Sequence, residues 1–283
     1  MSASILFDEP GPKTIVRHRI YSVLFAVVFF GFAALVLRKL YVEGNFEATI
    51  WEKLFASNVW EEISDGLLNT IKVAAIAIVT SVIFGAALAV GRLSDHAVIR
   101  WPATLVVQFF RAVPLLMLIF FIFYGLGPRF GDSGALVALI GGLTLYNGAV
   151  LAEVFRAGIN AVSKGQSEAA YAIGMRKTAV MSIILAPQAV RFMLPAIISQ
   201  CVVVLKDTSL GFVVGYEELL RKGSTVAQFV GNNLMTYIVI DIVYIALNSL
   251  VSLFATWLER RMAQRGRGSA KAVRDTKAAL PLT

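Results

Sequence analysis

Cysteine and histidine are almost missing from this chain of 283 residues: Cys201 stands alone, and the two histidines, His18 and His96, have no ligand-spaced partner. An internal disulfide is excluded, and redox or metal chemistry has little to build on. The phosphate-gripping loop G-x-x-x-x-G-K-[ST] is missing too, because no glycine is followed by lysine anywhere. Charge is thin, at 16% of residues, while 58% are hydrophobic and the mean hydropathy is +0.74. A soluble domain does not carry that composition, so the chain reads as an all-α integral membrane protein. Its net charge of +8 does not point to nucleic acid. The basic residues flank apolar segments and gather near the C-terminus, where they set orientation.

A helix needs roughly 20 apolar residues to cross a bilayer core of about 30 Å. Six segments approach that length: 20–40, 67–90, 103–126, 135–155, 192–215 and 230–258. The first follows Lys13, Arg17 and Arg19, is longer than a signal-peptide core and ends at Arg38 and Lys39 without a small-residue cleavage site, so it is read as an uncleaved helix. The fifth carries Gln200, Lys206 and Asp207, with Pro195 near its start, which suits a helix broken at membrane depth. With the amino terminus inside, the alternate segments collect most of the Lys and Arg, so both termini are expected in the cytoplasm. Residues 43–65 mix six acids with Trp51 and Trp60, the pattern of a segment lying on the outer interface. Residues 262–283 are rich in Gly, Ala, Lys and Arg without an apolar period and are expected to be a disordered basic tail.

Between the fourth and fifth segments lies a polar, basic interval. Ser163 and Gln166 have the S-x-x-Q spacing of a capping box, so a short helix is expected to begin there. Ala169, Ala170 and Ala172 favour helix and allow another surface to approach its backbone, and Gly174 suits the left-handed residue that ends it. Taken alone, such a loop is an ordinary alanine-rich helix.

Its wording is more specific. E-A-A-Y-A-I-G from Glu168 to Gly174, with I-L-A-P from Ile184 to Pro187, resembles the E-A-A-x-x-x-G-x(9)-I-x-L-P signature of permease subunits of binding-protein-dependent ABC importers; Ala186 replaces the usual leucine. G-L-L-N-T-I from Gly66, F-R-A-V-P-L-L from Phe110, E-V-F-R-A-G-I from Glu153, K-G-Q from Lys164, K-D-T-S-L from Lys206, E-E-L from Glu217 and L-E-R from Leu258 are similar, in order, to the polar amino acid subgroup. The part before residue 65 resembles the extra helix of glutamate-type actinobacterial permeases.

This resemblance implies a five-helix type I importer core over residues 66–261, a preceding helical unit over 1–65 and the tail 262–283. It implies a coupling helix near 163–175 that seats in an ATPase groove through Gln166, Glu168, Ala169, Ala170 and Gly174. The partners so implied are an ATPase dimer, a second permease subunit, identical or not, an extracytoplasmic solute-binding protein and a polar amino acid, glutamate above others. This chain would hold no cofactor, since ATP would be used by the partner, and it would sit in a bacterial cell membrane.

Charged groups in membrane helices normally face a cavity, an interface or one another. The transport-path candidates are Arg111, Tyr146, Asn147, Glu153, Lys206, Asp207, Thr208 and Ser209. Each has a structural alternative: snorkelling for Arg111, an i,i+3 pair for Glu153 with Arg156, a mutual balance for Lys206 with Asp207. Asp241 is expected to bond Thr236 or Asn248, to pair across a subunit interface or to touch substrate. The rival class is an ion-gradient-driven secondary transporter, which needs an inverted repeat and a coupling acid near the midplane, with Asp241 the one strong candidate.

Overall fold

The computed structural model describes residues 11–278, with side chains through residue 257 and at Arg261. Among the described residues every regular element is a helix. α1 (Pro12–Val42) is followed by a short α2 (Ala48–Leu54) and a 36-residue α3 (Ser57–Arg92). Then come α4 (Ala97–Ala112), α5 (Leu115–Gly125), a 3-10 turn and α6 (Gly134–Asn160). The interval after α6 holds α7 (Lys164–Ala172), one turn of α8 (Lys177–Ala179) and a π-helical stretch, Val180–Leu185. α9 (Ala186–Asp207) passes into a 3-10 segment, Thr208–Val214; α10 (Leu219–Val230) and α11 (Asn233–Ala278) complete the chain.

Among the described residues five helical stretches are long and apolar enough to span a bilayer, and the bent pair α4–α5 is a sixth if the two helices are taken as one broken span. α3 and α6 form the central pair because glycines let their backbones touch. A Cβ on Gly85 would lie 2.7 Å from Gly148 O, and one on Gly148 would meet the Phe84 ring at 2.6 Å. Around this crossing, Val73, Ala77, Ile119, Leu139, Leu143 and Val204 close the middle core. Ala89, Val107, Ala149 and Ala152 close it toward the α7 end. At the opposite end Leu54, Val59, Ile63, Leu219, Val226 and Ile240 pack together. α1 has no buried residue.

Several expectations need correction. The third segment is not one continuous span: α4 and α5 meet at 101° across Val113 and Pro114. Proline lacks an N–H and pushes its predecessor out of helical geometry, and Val113 is extended (φ −81°, ψ 129°). Conversely, α9 runs unbroken through Pro195, and the chain leaves α geometry only at Thr208. Residues 43–65 also pack on the bundle: α3 already starts at Ser57, and Leu54, Val59 and Ile63 are buried under α10 and α11. α11 itself runs on to Ala278. Residues 279–283 of the basic tail lie outside the described residues.

Candidate functional site

α7 stands at one end of the bundle. It begins at Lys164, but Ser163 makes no side-chain cap bond. Gln166 Oε1 instead accepts from Gln188 Nε2 at 3.3 Å, so the expected capping box gives way to a tie between α7 and α9. The C-terminal end closes as expected: Gly174 is left-handed (φ +80°), its N–H donates to Tyr171 O at 2.9 Å, and Met175 N–H donates to Ala170 O at 3.1 Å. Ala170 is buried against the body, whereas Gln166, Glu168, Ala169, Tyr171 and Ile173 face outward. Ile173 is 78% exposed. Just past α7, Lys177 pairs with Asp95 in the α3–α4 loop and donates to Leu93 O at 3.5 Å. The lysine holds the Asp95 carboxyl below the usual range.

Farther into the bundle, one carboxylate gathers three guanidinium groups. Glu153 Oε1 lies 2.7 Å from Arg92 Nη1 and 3.0 Å from Arg111 Nη1, and Oε2 accepts from Arg156 Nε at 3.1 Å. The Arg92 contact is Coulombic and lacks hydrogen-bond alignment. Glu153 thereby ties the ends of α3 and α4 to α6, with the Arg92 side chain only 7% exposed. The i,i+3 pair with Arg156 was legible by spacing. Arg92 was not, because it arrives from another helix. Arg111 stands in the last turn of α4 beside the bend, engaged with this carboxylate.

About two turns from Glu153 toward the other end, Asn147 is fully buried. Its Nδ2 donates to Leu143 O at 3.1 Å, its Oδ1 accepts from Gln200 Nε2 at 2.6 Å, and the Asp207 carboxyl approaches the same side chain. Thr80 and Thr144 hydroxyls meet nearby at 2.6 Å, joining α3 to α6. Tyr146 is half-buried and makes no side-chain hydrogen bond among the described residues. Lys206 and Asp207 do not balance each other: Asp207 turns to Asn147, while Lys206 and Ser209 line an open groove against Asp241, Asn248 and Ser252 of α11. Thr208 is buried and donates to Leu205 O at 2.6 Å; Ser209 donates to Lys206 O at 2.9 Å. Asp241 bonds neither Thr236 nor Asn248, whose side chains donate to carbonyls one turn back, Asn232 O and Tyr244 O, both at 2.8 Å.

The model of the family described as "Binding-protein-dependent transport system inner membrane component" matches residues 81–264, well over half of the chain. The chain belongs to this family. It is 38% identical over 225 residues to the glutamate transport system permease protein GluD of Corynebacterium glutamicum, covering 77% of this chain and 82% of that one. The glutamate/aspartate import permease protein GltK of Escherichia coli O157:H7 is 33% identical over 209 residues, covering 70% and 92%. Among solved structures, an amino acid ABC transporter with histidines superposes with a TM-score of 0.66 at 29% identity, covering 71% of this chain and 94% of that one. An inward-facing MetNI methionine ABC transporter gives 0.65 at 18% identity, covering 73% and 99%, which speaks for the fold alone. The chain is thus a multi-pass inner membrane component, an ABC importer permease for amino acids, with motifs of the polar amino acid subgroup.

One element of this permease escaped the motif reading. Glu218, inside the E-E-L triplet, is completely enclosed and caps α10: its carboxylate accepts from Leu220 N–H at 2.9 Å, Arg221 N–H at 2.8 Å and Tyr244 Oη at 2.6 Å. Next to it Leu219 N–H donates to Thr70 Oγ1 at 3.1 Å, and Thr70 Oγ1 donates to Gly66 O at 3.0 Å. Three helices, α3, α10 and α11, are joined in one buried knot. Burial pushes the Glu218 carboxyl up, against the three donors that hold it down. The readable signal was an acid immediately before an amphipathic run.

Proposed function

We propose that this permease carries glutamate across the membrane and is driven by ATP hydrolysed on a separate ATPase pair seated against α7. The single observation behind the reading is α7 itself. It is a short helix held to the body through Ala170 and Gln166, closed by a left-handed glycine, with Glu168, Ala169 and Ile173 left facing outward. It carries the E-A-A wording of importer permeases. Residues 66–261 form the translocating core, residues 1–65 precede it, and the α7 end with both termini faces the cytoplasm. A solute-binding protein, like those with which the named family works, loads the opposite end, and a second permease subunit completes the path.

The mechanism follows from stiffness. When the ATPases close, they push α7, and α7 transmits the push through Gln188 to α9 and through Lys177 to the inner end of α3. The π-helical Val180–Leu185 between them is a wide turn that can take up such a displacement. Arg111 and Glu153 then stand where α3, α4 and α6 must move together, and Asn147, Asp207, Lys206 and Ser209 offer polar groups along the way outward. Support for glutamate comes from GluD and GltK, whose names carry that substrate. An ion-gradient mechanism is less favoured, since the family is one of binding-protein-dependent systems.

The test separates docking from transport. Glu168→Ala and Gly174→Val, made in the assembled importer, should each lower ATPase co-purification and labelled glutamate uptake together; the glycine variant also carries the strain of a left-handed β-branched residue, about 1–2 kcal/mol. Normal association and uptake in both variants would overturn the coupling role of α7.

A further inference from the structure

We infer that the groove between the end of α9 and α11 binds the α-carboxylate and α-ammonium groups of an amino acid, Lys206 taking the first and Asp241 the second. The inference rests on the amino acid transport reading above. The groove holds about 820 Å³, and Lys206 and Ser209 form one wall while Asp241, Asn248, Ser249 and Ser252 line the other. Asp241, Asn248 and Ser252 share one face of α11 and, at about 1.5 Å per residue, extend over roughly 16 Å of the span.

Three observations converge on a zwitterion. First, one cation and one anion face the same groove, and among the described residues neither belongs to an ion pair. An ionised group within an apolar span is costly unless partnered, so each calls for a partner of opposite sign. A free amino acid supplies both signs on one carbon. Second, the neighbouring hydroxyl of Tyr244 is already committed to Glu218 at 2.6 Å, and Lys206 and Asp241 are the charged side chains among those lining the groove. Third, Asn248 Oδ1 is buried without a hydrogen-bond partner while its Nδ2 donates to Tyr244 O. Two turns beyond Asp241, that orphan acceptor suits a neutral donor on a side chain, such as an amide, and gives no pairing to a side-chain carboxylate. The groove therefore reads the groups common to all α-amino acids and takes glutamine as readily as glutamate, which leaves preference for the anionic side chain to the external binding protein.

The experiment uses the full importer in detergent without its binding protein and follows labelled L-glutamine. Saturable binding is expected, displaced by L-glutamate and not by N-acetyl-L-glutamine or by glutarate, which lack the ammonium. Lys206→Gln and Asp241→Asn should each weaken it about tenfold or more, the worth of a hydrogen bond to a charged group. No binding by the wild type, equal competition by N-acetyl-L-glutamine, or wild-type affinity in both variants would overturn the assignment. If either variant fails to assemble, the wild-type competition series decides alone. Should the single variants dissociate while K206D/D241K assembles, the two charges pair across permease subunits and the assignment also fails. ATP-driven uptake in vesicles is read in parallel. Uptake without groove binding sinks this inference only, and absence of amino acid uptake sinks the reading beneath it.

Discussion

A carboxylate enclosed as completely as that of Glu218 survives only because donors replace its water. Two backbone N–H groups and a tyrosine hydroxyl do so here, and removing the acceptor leaves all three in a dry site. Glu218→Ala should therefore cost about 2–4 kcal/mol, read as lower thermal or denaturant stability in detergent. The pH dependence has a definite sign. Burial raises this carboxyl above its ordinary value of 4.5 in the folded state, so its contribution is fully present below that value and is lost as pH rises through the folded pKa. Stability measured from pH 4 upward should fall more steeply for the wild type than for Glu218→Gln, and parallel curves would contradict the account. Spacing alone made the pairing of Glu153 with Arg156 legible, and the left-handed Gly174 followed from the end of an alanine-rich run. The enclosure of Glu218 and the arrival of Arg92 at Glu153 depend on which helices meet, and no local pattern records that.

Helices carry the next level. α3 and α6 cross where Gly85 faces Gly148 O, so Gly85→Ala must push the pair apart; a loss of about 1–3 kcal/mol in unfolding free energy is expected. The ends of α3 and α4 meet α6 at Glu153, so Glu153→Gln strips three arginines of their shared counter-ion. A loss of about 1–3 kcal/mol is expected, partly recovered when Arg92→Met removes the most buried of the three; a double variant no more stable than the single one would argue against the shared role. Long apolar runs marked where the spans lie, because lipid forces every crossing segment to satisfy its own backbone, but not where the helices begin: α3 starts at Ser57, well before the apolar run at 67. The bend between α4 and α5 was written in Val113 and Pro114, yet apolar residues on both sides made the run look continuous. α10 was passed over because a short amphipathic helix packed on its neighbours lacks the length that marks a span. Pro195 misled in the other direction, since α9 accommodates it within a continuous helix.

At the scale of the whole molecule, the chain is a bundle with a tethered, outward-facing helix at one end and a two-signed groove toward the other. Between them stand the Glu153 cluster and the Asn147–Gln200 contact, polar joints in otherwise apolar packing. The sequence holds no glycine–lysine pair to form a phosphate loop. On the proposed reading, work enters through α7 from another polypeptide. Uptake of labelled glutamate into sealed vesicles, with ATP inside or outside as orientation requires, tests that claim most directly. Accumulation against a gradient is predicted only when ATPase subunits, binding protein and ATP are all present, and it should vanish when the ATPase is omitted. Uphill accumulation by the permease without any ATPase, powered by an imposed ion gradient, would contradict it.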